Sequence, residues 1–351
     1  MTPSTSTPIQ IGWLNAFRET FARCGLKPGD VVAILAETRS RAVNVELARL
    51  ALDQLGCRWF QVTMPTPAQR APVPVRSTGA SDALQENPAA IAALAAATMV
   101  VDLTVEGLMH ARELPAILNG GARVLYVSNE HPDALERARP DESLEARVKT
   151  AMKAMRGART MLVRSPAGTD LRISLAGARV GGVWGWTDKP GTLQHWPGGL
   201  VLAFPAAGSV NGTLVIAPGD VNLTFKRYAE SQVRLTIADD FVTHIDGHGV
   251  DAELMRSYWS AWGDRNAYAV SHVGFGLNHA ARWDAMAFYD REDFNGTELR
   301  AFAGNFLYST GANEVARRFT LGHFDLPFCR CTVALDDTTV VKDGVLQEPF
   351  A

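Results

Sequence analysis

The sequence predicts an α/β domain, a parallel sheet flanked by helices, followed by an α+β domain with mainly antiparallel strands. In the first half, short apolar runs rich in β-branched residues alternate with amphipathic stretches of about ten residues or more, as in parallel sheets covered by helices. Beyond residue 158 the apolar runs alternate with polar residues and are often interrupted by glycine and proline, as in antiparallel hairpins. This change predicts two domains, residues 1–157 and residues 158–351.

The first domain is predicted to alternate regularly between helices and strands. Helices are expected where apolar residues recur every three or four positions and a glycine follows, and strands where a short apolar run lies between turn residues. In chain order the predicted elements are a helix at 10–25, a strand at 31–37, a helix at 40–56, a strand at 57–65, a helix at 87–97, a strand at 98–104, a helix at 111–121, a strand at 122–128 and a helix at 140–158.

The second domain is predicted to consist mainly of hairpins. Period-two alternation with frequent turn residues predicts antiparallel strands, and one segment has helical periodicity. The predicted strand regions are 163–175, 198–206, 212–223 and 231–247; the predicted helix is 250–263, and the segment 267–283 is rich in loops.

Composition excludes several classes of protein. The chain has 351 residues, 47% hydrophobic and 20% charged, with a net charge of -3. A pI near 6.3 is not that of a nucleic-acid-binding protein with a basic surface. No apolar run approaches the roughly 20 residues of a membrane span, and the N-terminus lacks the basic and apolar regions of a signal peptide. We therefore expect a cytoplasmic protein with neither nucleic acid nor membrane as a partner.

Four cysteines are too few for a disulfide framework in a chain of this length. Cys329 and Cys331 lie near His323, which raises the question of a zinc site. Structural zinc prefers cysteines separated by two to four residues, usually in two such pairs. Cys24 and Cys57 fall in the other domain, so we interpret Cys329 and Cys331 as small core residues.

The segment LGHFDLPF contains the strongest local metal-binding pattern. If it is extended, His323 and Asp325 share one face of the strand while Phe324 and Leu326 face the core. A histidine and a carboxylate on one face supply two of the three ligands of a 2-His-1-carboxylate site. An ordinary hydrogen bond between the two side chains on a polar strand face remains the alternative.

A third ligand would have to come from elsewhere, and SHVGFGLNHAARW offers His272 and His279. Gly274 and Gly276 flank Phe275 and indicate that the backbone passes close to a ligand or another chain segment. The residues alone do not choose between the two histidines.

Three further segments carry residues suited to a pocket or a metal site. HWPGG at 195–199 fits a pocket wall or a loop anchored by its tryptophan. RSPAGTDLR at 164–172 contains turn residues and also fits a simple hairpin. HIDGHG at 244–249 contains ligand-type residues that a tight turn also favours.

Several of these motifs, in the same order, resemble one known family. SHVGFGL, LRAFAGNFLYSTGAN and GHFDLP, together with VRSPAGTD, DKPG, HWPGG and GTLVIAPGD, are similar to the 2,5-dihydroxypyridine 5,6-dioxygenases of bacterial nicotinic acid breakdown. The similarity runs from about residue 30 to the C-terminus and is strongest after residue 155. The family also looks like the wider group of thermophilic metallo-aminopeptidases.

The resemblance implies a homo-oligomeric enzyme with one Fe(II) per site, acting on a small aromatic substrate and O₂. Its iron ligands would be His272, His323 and Asp325, so the resemblance selects His272 over His279. The implied reaction opens the ring of a hydroxylated pyridine, with both oxygen atoms of O₂ entering an N-formylmaleamate-type product.

The resemblance also implies residues around the metal. His110 matches a histidine that contacts the ring or acts as its base, and His195 matches a pocket histidine. Met109 falls at an apolar pocket position, while Arg300 and Ser309 match residues that bind oxygen atoms of the ring.

One pocket position departs from the family. Where relatives carry a glutamate before an aromatic-Gly-aromatic step, GGVWGWTDKPG has Val183, and about two extra residues lie near TVEGLMH beside His110. Loss of a carboxylate would alter the handling of protons or the substrate accepted.

Two other functions fit parts of the sequence. A metallo-aminopeptidase would require two metals about 3.5–4 Å apart, with Glu253 and Glu292 converging on His272 and His323. A binding or assembly module would use the polar strand only structurally, and replacing His323 would leave its metal content unchanged.

Overall fold

A computed structural model describes residues 8–68, 82–291 and 294–351, and it confirms the predicted fold class. The first half forms a parallel sheet with helices, and the second half forms antiparallel sheets with fewer helices. Within the described ranges, no helix combines the length and apolarity needed to cross a membrane.

The parallel sheet is built mostly from the first half of the chain. Its strands are β1 (Val31–Glu37), β2 (Arg58–Met64), β3 (Met99–Asp102), β4 (Arg123–Val127) and β8 (Leu193–Trp196). They lie in the order β2-β1-β3-β4-β8 and pair in parallel. Strands β3 and β4 are buried along their whole length, because helices cover both faces of a sheet of this kind.

Side-chain caps mark the start of the helices that follow Asn87 and Asp141. The Asn87 side chain accepts hydrogen bonds from the backbone N–H groups of Ala89 and Ala90, and the Asp141 carboxylate accepts one from Leu144 N at 2.8 Å. The short helix α5, Pro132–Arg137, was not predicted, because its six residues are too few to show helical periodicity. The helices are α1 (Ile11–Arg23), α2 (Ala42–Gln54), α3 (Pro88–Ala95), α4 (Leu114–Asn119), α5 (Pro132–Arg137), α6 (Glu142–Gly157), α7 (Val250–Ala261) and α8 (Thr297–Ala301), with 3-10 turns at Arg265–Tyr268 and Trp283–Ala287.

The second half forms two large antiparallel sheets and a small ribbon. One sheet contains, in spatial order, β14 (Phe241–Gly247), β13 (Val233–Ala238), β10 (Val210–Ile216), β6 (Asp170–Ser174), β5 (Thr160–Arg164), β18 (Thr332–Leu335), β19 (Thr338–Lys342) and β20 (Val345–Leu346). The other contains β17 (Phe324–Phe328), β16 (Phe306–Thr310), β15 (Val270–Gly276), β9 (Leu200–Phe204) and β7 (Arg179–Val183). The ribbon pairs β11 (Val221–Asn222) with β12 (Arg227–Tyr228).

The two halves exchange elements near the predicted boundary at residues 157 and 158, which stays a prediction. Strand β8 lies beyond that point but pairs with β4 in the parallel sheet. Helix α6 lies before it but contributes buried side chains to the core of the antiparallel half, namely Leu144, Val148, Ala151 and Met155. The halves therefore share an extensive contact.

A buried carboxylate fixes this contact. Glu130, 0% exposed, follows β4 and accepts backbone hydrogen bonds from Asn295 at 2.8 Å, Gly296 at 2.7 Å and Thr297 at 2.7 Å. The segment that precedes α8 is thereby attached to the carboxyl end of the parallel sheet.

Replacing this carboxylate tests its contribution to stability. Glu130→Ala leaves three buried N–H groups without their acceptor, so we expect the free energy of unfolding to fall by roughly 3–5 kcal/mol in urea denaturation. Glu230→Ala is the control, because the Glu230 side chain is 85% exposed, and it should cost less than about 1 kcal/mol. A loss below about 1 kcal/mol for Glu130→Ala would contradict this role.

Candidate metal centre and active site

Three neighbouring strands carry a row of polar side chains. In the antiparallel register His272 of β15 lies opposite Ser309 of β16, and Ser309 lies opposite Asp325 of β17. Directly opposed residues project to the same face of a sheet, so the three side chains form one line across it. All three are buried, with Asp325 1% exposed.

His323 joins this row from the residue before β17. The Tyr258 hydroxyl donates to the His323 carbonyl at 2.6 Å and accepts from its backbone N–H at 3.0 Å, which fixes the backbone there. His323 Nε2 lies 3.2 Å from Asp325 Oδ1, and His272 Nε2 lies 4.0 Å from the same oxygen. Phe324 and Leu326 are buried in the opposite core, as strand alternation predicts.

The glycines of SHVGFG allow other backbone to approach closely. A Cβ at Gly274 would lie 2.0 Å from the Val201 carbonyl oxygen, and one at Gly276 would lie 2.1 Å from that of Phe302. The close approach predicted from the sequence is to other segments of the chain itself, and it brings β15 against β9.

His110 reaches the same place from the other half of the molecule. It lies on the loop after β3, and Asp102 orders this loop by accepting hydrogen bonds from Thr104 N at 3.0 Å and Leu108 N at 2.8 Å. The His110 ring centroid is 5.4 Å from that of His323. The donor atoms of His110, His272 and His323 all lie within 4.8 Å of one another.

The charge balance of the site depends on Asp325. Burial raises the pKa of this carboxyl, but the Arg300 guanidinium and the neighbouring histidines outweigh burial and hold the pKa well below its usual range. Arg300 Nε donates to Asp325 Oδ2 at 2.5 Å, and the Ser309 hydroxyl donates to Oδ1. Asp325 is therefore ionised while Oδ1 still faces the histidines.

Two of these histidines, His272 and His110, are held neutral. Burial lowers the pKa of His272 well below its usual value. Burial, reinforced by His323, lowers the pKa of His110 to about 3. A neutral imidazole and an ionised carboxylate are the protonation states that metal ligands need.

The donor set fits one metal ion. Donor atoms bound to an ion at about 2.1 Å can lie up to about 4.2 Å apart. Asp325 Oδ1 meets this limit with both His272 Nε2 and His323 Nε2. These residues could hold a metal, and His110 is a further donor beside them. The predicted assignment of His272, His323 and Asp325 as ligands, with His110 as a catalytic group, stays a prediction.

A cavity opens beside this donor set, between the carboxyl ends of the parallel strands and the face of β15–β17. The empty space among its lining residues is about 550 Å³, a value that includes open solvent. Apolar side chains supply much of the wall, and the remaining lining residues are polar. The lining is Glu106, Met109, His110, Tyr126, His195, Leu200, Leu202, Phe204, His272, Asn295, Thr297, Arg300, Leu307, His323 and Asp325.

His195 lines this cavity, and a hydrogen bond determines which of its ring nitrogens carries the proton. Its Nδ1 is 2.9 Å from the Pro197 carbonyl oxygen, which can only accept, so Nδ1 carries the proton and Nε2 bears the lone pair. Burial lowers the pKa of His195 to about 4, although the hydrogen bond to Pro197 opposes that effect. His195 is thus a neutral proton acceptor near pH 7.

The structure brings together most of the residues selected from the sequence. Met109 and Arg300 line the cavity, whereas Ser309 lies between His272 and Asp325 and donates to Asp325 Oδ1. Val183 lies in the apolar cluster with Leu200 and Leu202, behind the wall those residues form. The substrate-binding roles predicted for these four residues stay predictions.

Other candidate ligands lie away from the site. His279, His244 and His248 are exposed. Glu253 is on α7, 72% exposed and paired with Arg256, and Glu292 lies outside the described residues. Cys331 packs in the core and Cys329 packs partly buried, both as free thiols.

Sequence reasoning missed Tyr126, Asn295 and Thr297, which also line the cavity. Tyr126 is part of an apolar strand, and the other two belong to an ordinary turn sequence, FNGTE. Only the packing of the two halves reveals them.

Comparison with known proteins identifies the family. A family model described as 2,5-dihydroxypyridine 5,6-dioxygenase (NicX) matches residues 12–348. The chain belongs to this family. A 2,5-dihydroxypyridine 5,6-dioxygenase of Pseudomonas putida KT2440 is 37% identical over 322 residues, which is 91% of each chain. The resemblance drawn from the sequence motifs is therefore confirmed.

Solved structures agree with membership of the 2,5-dihydroxypyridine 5,6-dioxygenase family. The 2,5-dihydroxypyridine dioxygenase structure from Pseudomonas putida KT2440 has a TM-score of 0.90 and 34% identity, covering 97% of this chain and 99% of that one. AmpT from Thermus thermophilus has a TM-score of 0.57 and 13% identity, covering 95% and 98%. The second likeness concerns the fold alone.

Removing single ligands tests the metal assignment. His272→Ala, His323→Ala and Asp325→Ala should each weaken metal binding by more than about 100-fold, since even residues behind metal ligands are worth 10- to 100-fold. Metal content per chain after dialysis measures this. His110→Ala should retain the metal, and the exposed His244→Ala is the matched control. Unchanged metal content in any of the first three variants would contradict the assignment.

Proposed function

We propose that the chain is an Fe(II)-dependent dioxygenase that opens the ring of 2,5-dihydroxypyridine. The observation that carries the proposal is the convergence of His272, His323 and Asp325 beside a cavity with apolar and polar walls, in a chain of this family. Two histidines and one carboxylate leave positions on a metal open, and this donor set is typical of non-haem Fe(II) oxygenases.

The cavity is suited to a flat aromatic ring. Leu200, Leu202, Phe204 and Leu307 provide apolar surface, while polar groups are available to the ring substituents. Fe(II) held by the three ligands would supply the redox chemistry that joins O₂ to an electron-rich ring, without a reducing cosubstrate. The protein's own part is to orient the ring, exclude water and move protons.

A histidine accepts the proton that a ring hydroxyl gives up on binding. His195 has its Nε2 lone pair available in the cavity because Nδ1 is committed to Pro197. His110 is the second candidate, neutral and beside the donor set. Arg300, whose Nε holds Asp325, lines the cavity and places a cationic group beside negatively charged oxygen on the ring.

The overall reaction balances without another reactant. The bond between C5 and C6 breaks, both atoms of O₂ are incorporated, and the ring substrate becomes an N-formylmaleamate-type acid. A dioxygenase acting on a different hydroxylated heteroaromatic ring is the second candidate, because the motif resemblance places Val183 where relatives carry a carboxylate.

We also infer a cytoplasmic homo-oligomer. Size-exclusion chromatography with light scattering would test the oligomeric state.

Oxygen consumption tests the function. Protein loaded with Fe(II) under anaerobic conditions should consume one O₂ per 2,5-dihydroxypyridine, and ¹⁸O₂ should label the product twice. Related dihydroxypyridines and hydroxypyridine carboxylates serve as comparison substrates. Absence of O₂ uptake with the whole set would refute the proposal, and preference for another ring would favour the second candidate.

Replacement of His195 tests its role as proton acceptor. His195→Gln should reduce kcat by roughly 10²- to 10⁴-fold with a smaller effect on KM, whereas His279→Gln, at an exposed position, should leave kcat unchanged. If kcat falls less than about tenfold, His195 is not the acceptor.

The pH dependence of kcat provides a second test of His195. A pKa lowered to about 4 means that the neutral imidazole persists as pH falls. The acid limb of kcat due to His195 should therefore lie near pH 4, well below the usual histidine value of about 6.5. A wild-type acid limb near 6.5 that disappears in His195→Gln would contradict the neutral, buried state.

A further inference from the structure

Asn295 is the buried amide in the cavity lining that neither the sequence motifs nor the metal site accounts for. It is 4% exposed and lies just before α8 on the segment attached to Glu130. Its side chain is therefore held on a fixed backbone, between the two halves of the molecule.

Hydrogen bonds determine which way the amide is turned. The Tyr126 hydroxyl donates its only proton to the Val105 carbonyl at 3.1 Å. The Asn295 atom 2.7 Å from the Tyr126 oxygen must then be the donor Nδ2. Nδ2 also donates to Ser128 Oγ at 2.9 Å, so both of its protons are used.

The carbonyl oxygen of the amide is left for the cavity. Among the described residues, none donates a hydrogen bond to Asn295 Oδ1, although Asn295 lines the cavity. An oxygen of this kind accepts only, so it recognises a ligand that presents a donor. The group is preorganised, because Tyr126 and Ser128 prevent the amide from turning over.

We propose that Asn295 is a specificity-determining residue, whose Oδ1 accepts a hydrogen bond from the ring N–H of the substrate. This inference rests on the proposed function. In its lactam form, 2,5-dihydroxypyridine carries an N–H that a carbocyclic diphenol of the same shape lacks. Asn295 thus selects an N–H heterocycle over a benzene ring with the same oxygen substituents.

The ring N–H is distinguishable from the other donors of the substrate. Hydroquinone keeps the hydroxyl group that corresponds to position 5, carries a second hydroxyl in place of the lactam carbonyl, and replaces the ring N–H by C–H. If Oδ1 accepted from a hydroxyl group, removal of the amide would weaken both ligands alike. If it accepts from N–H, only 2,5-dihydroxypyridine loses a hydrogen bond, and the ratio of the two affinities changes.

The experiment measures this ratio on the full chain loaded with Fe(II) under anaerobic conditions. Dissociation constants for 2,5-dihydroxypyridine and hydroquinone are determined by calorimetry for the wild type, Asn295→Leu and Asn295→Ala. Asn295→Leu keeps the volume, and Asn295→Ala is the second variant should the first misfold. Asn313→Leu is the matched control: Asn313 is equally buried, its Nδ2 donates to the Pro205 carbonyl at 2.9 Å, and it lies outside the cavity lining.

Wild type should prefer 2,5-dihydroxypyridine, and either Asn295 variant should reduce the preference about tenfold or more, since a hydrogen bond to a preorganised buried acceptor is worth at least that much. Asn313→Leu should keep the wild-type ratio. Equal weakening of both ligands, or no wild-type preference, overturns the inference.

Turnover of 2,5-dihydroxypyridine, measured separately in air, decides the proposed function. If the wild type turns over the substrate and the Asn295 variants keep the wild-type affinity ratio, the proposed function stands and the role of Asn295 is refuted. If the affinity ratio depends on Asn295 but the wild type shows no turnover, the proposed function is refuted and recognition of the ring N–H is supported.

Discussion

The site depends on keeping one carboxylate ionised inside a sheet. An isolated buried charge costs several kcal/mol, and Asp325 is almost fully buried. Arg300 compensates that cost at Oδ2, and the Ser309 hydroxyl does so at Oδ1. Because Arg300 occupies Oδ2, Oδ1 is the carboxylate oxygen that lies near His272 and His323.

The second constraint is the contact between the two halves. Strands β15–β17 supply His272 and Asp325 by register, but His110, His195 and Tyr126 come from the carboxyl ends of the parallel sheet. Ligand sites in such sheets commonly form at that edge, where the loops leave the strands. Glu130 joins this edge to the segment before α8. The cavity consequently has one wall from each half, and its shape depends on how firmly they are held together.

A valine at position 183 fits its apolar surroundings. Val183 packs with Leu200 and Leu202, whose side chains face the cavity. A carboxylate at this position would enter an apolar cluster unless the surrounding packing changed, since burying an unpaired charge is costly. The polar recognition in this chain instead comes from His195, Arg300 and the fixed amide of Asn295.

The sequence by itself determined the alternation of helices and strands in the first half, the antiparallel strands of the second half, and the shared face of His323 and Asp325. These follow from local periodicity, which needs no knowledge of partners. The residues alone do not choose between His272 and His279 as a metal ligand, and the choice of His272 came from the family resemblance. The strand register agrees with that choice, because His272 lies in line with Ser309 and Asp325.

Tertiary structure alone decided the rest. Long-range packing adds β8 to the parallel sheet and places α6 on the antiparallel half. It also brings Tyr126, Asn295 and Thr297 to the wall of the cavity. The orientation of the Asn295 amide depends on a proton that Tyr126 gives to Val105. No local pattern encodes contacts between segments more than 160 residues apart in the chain.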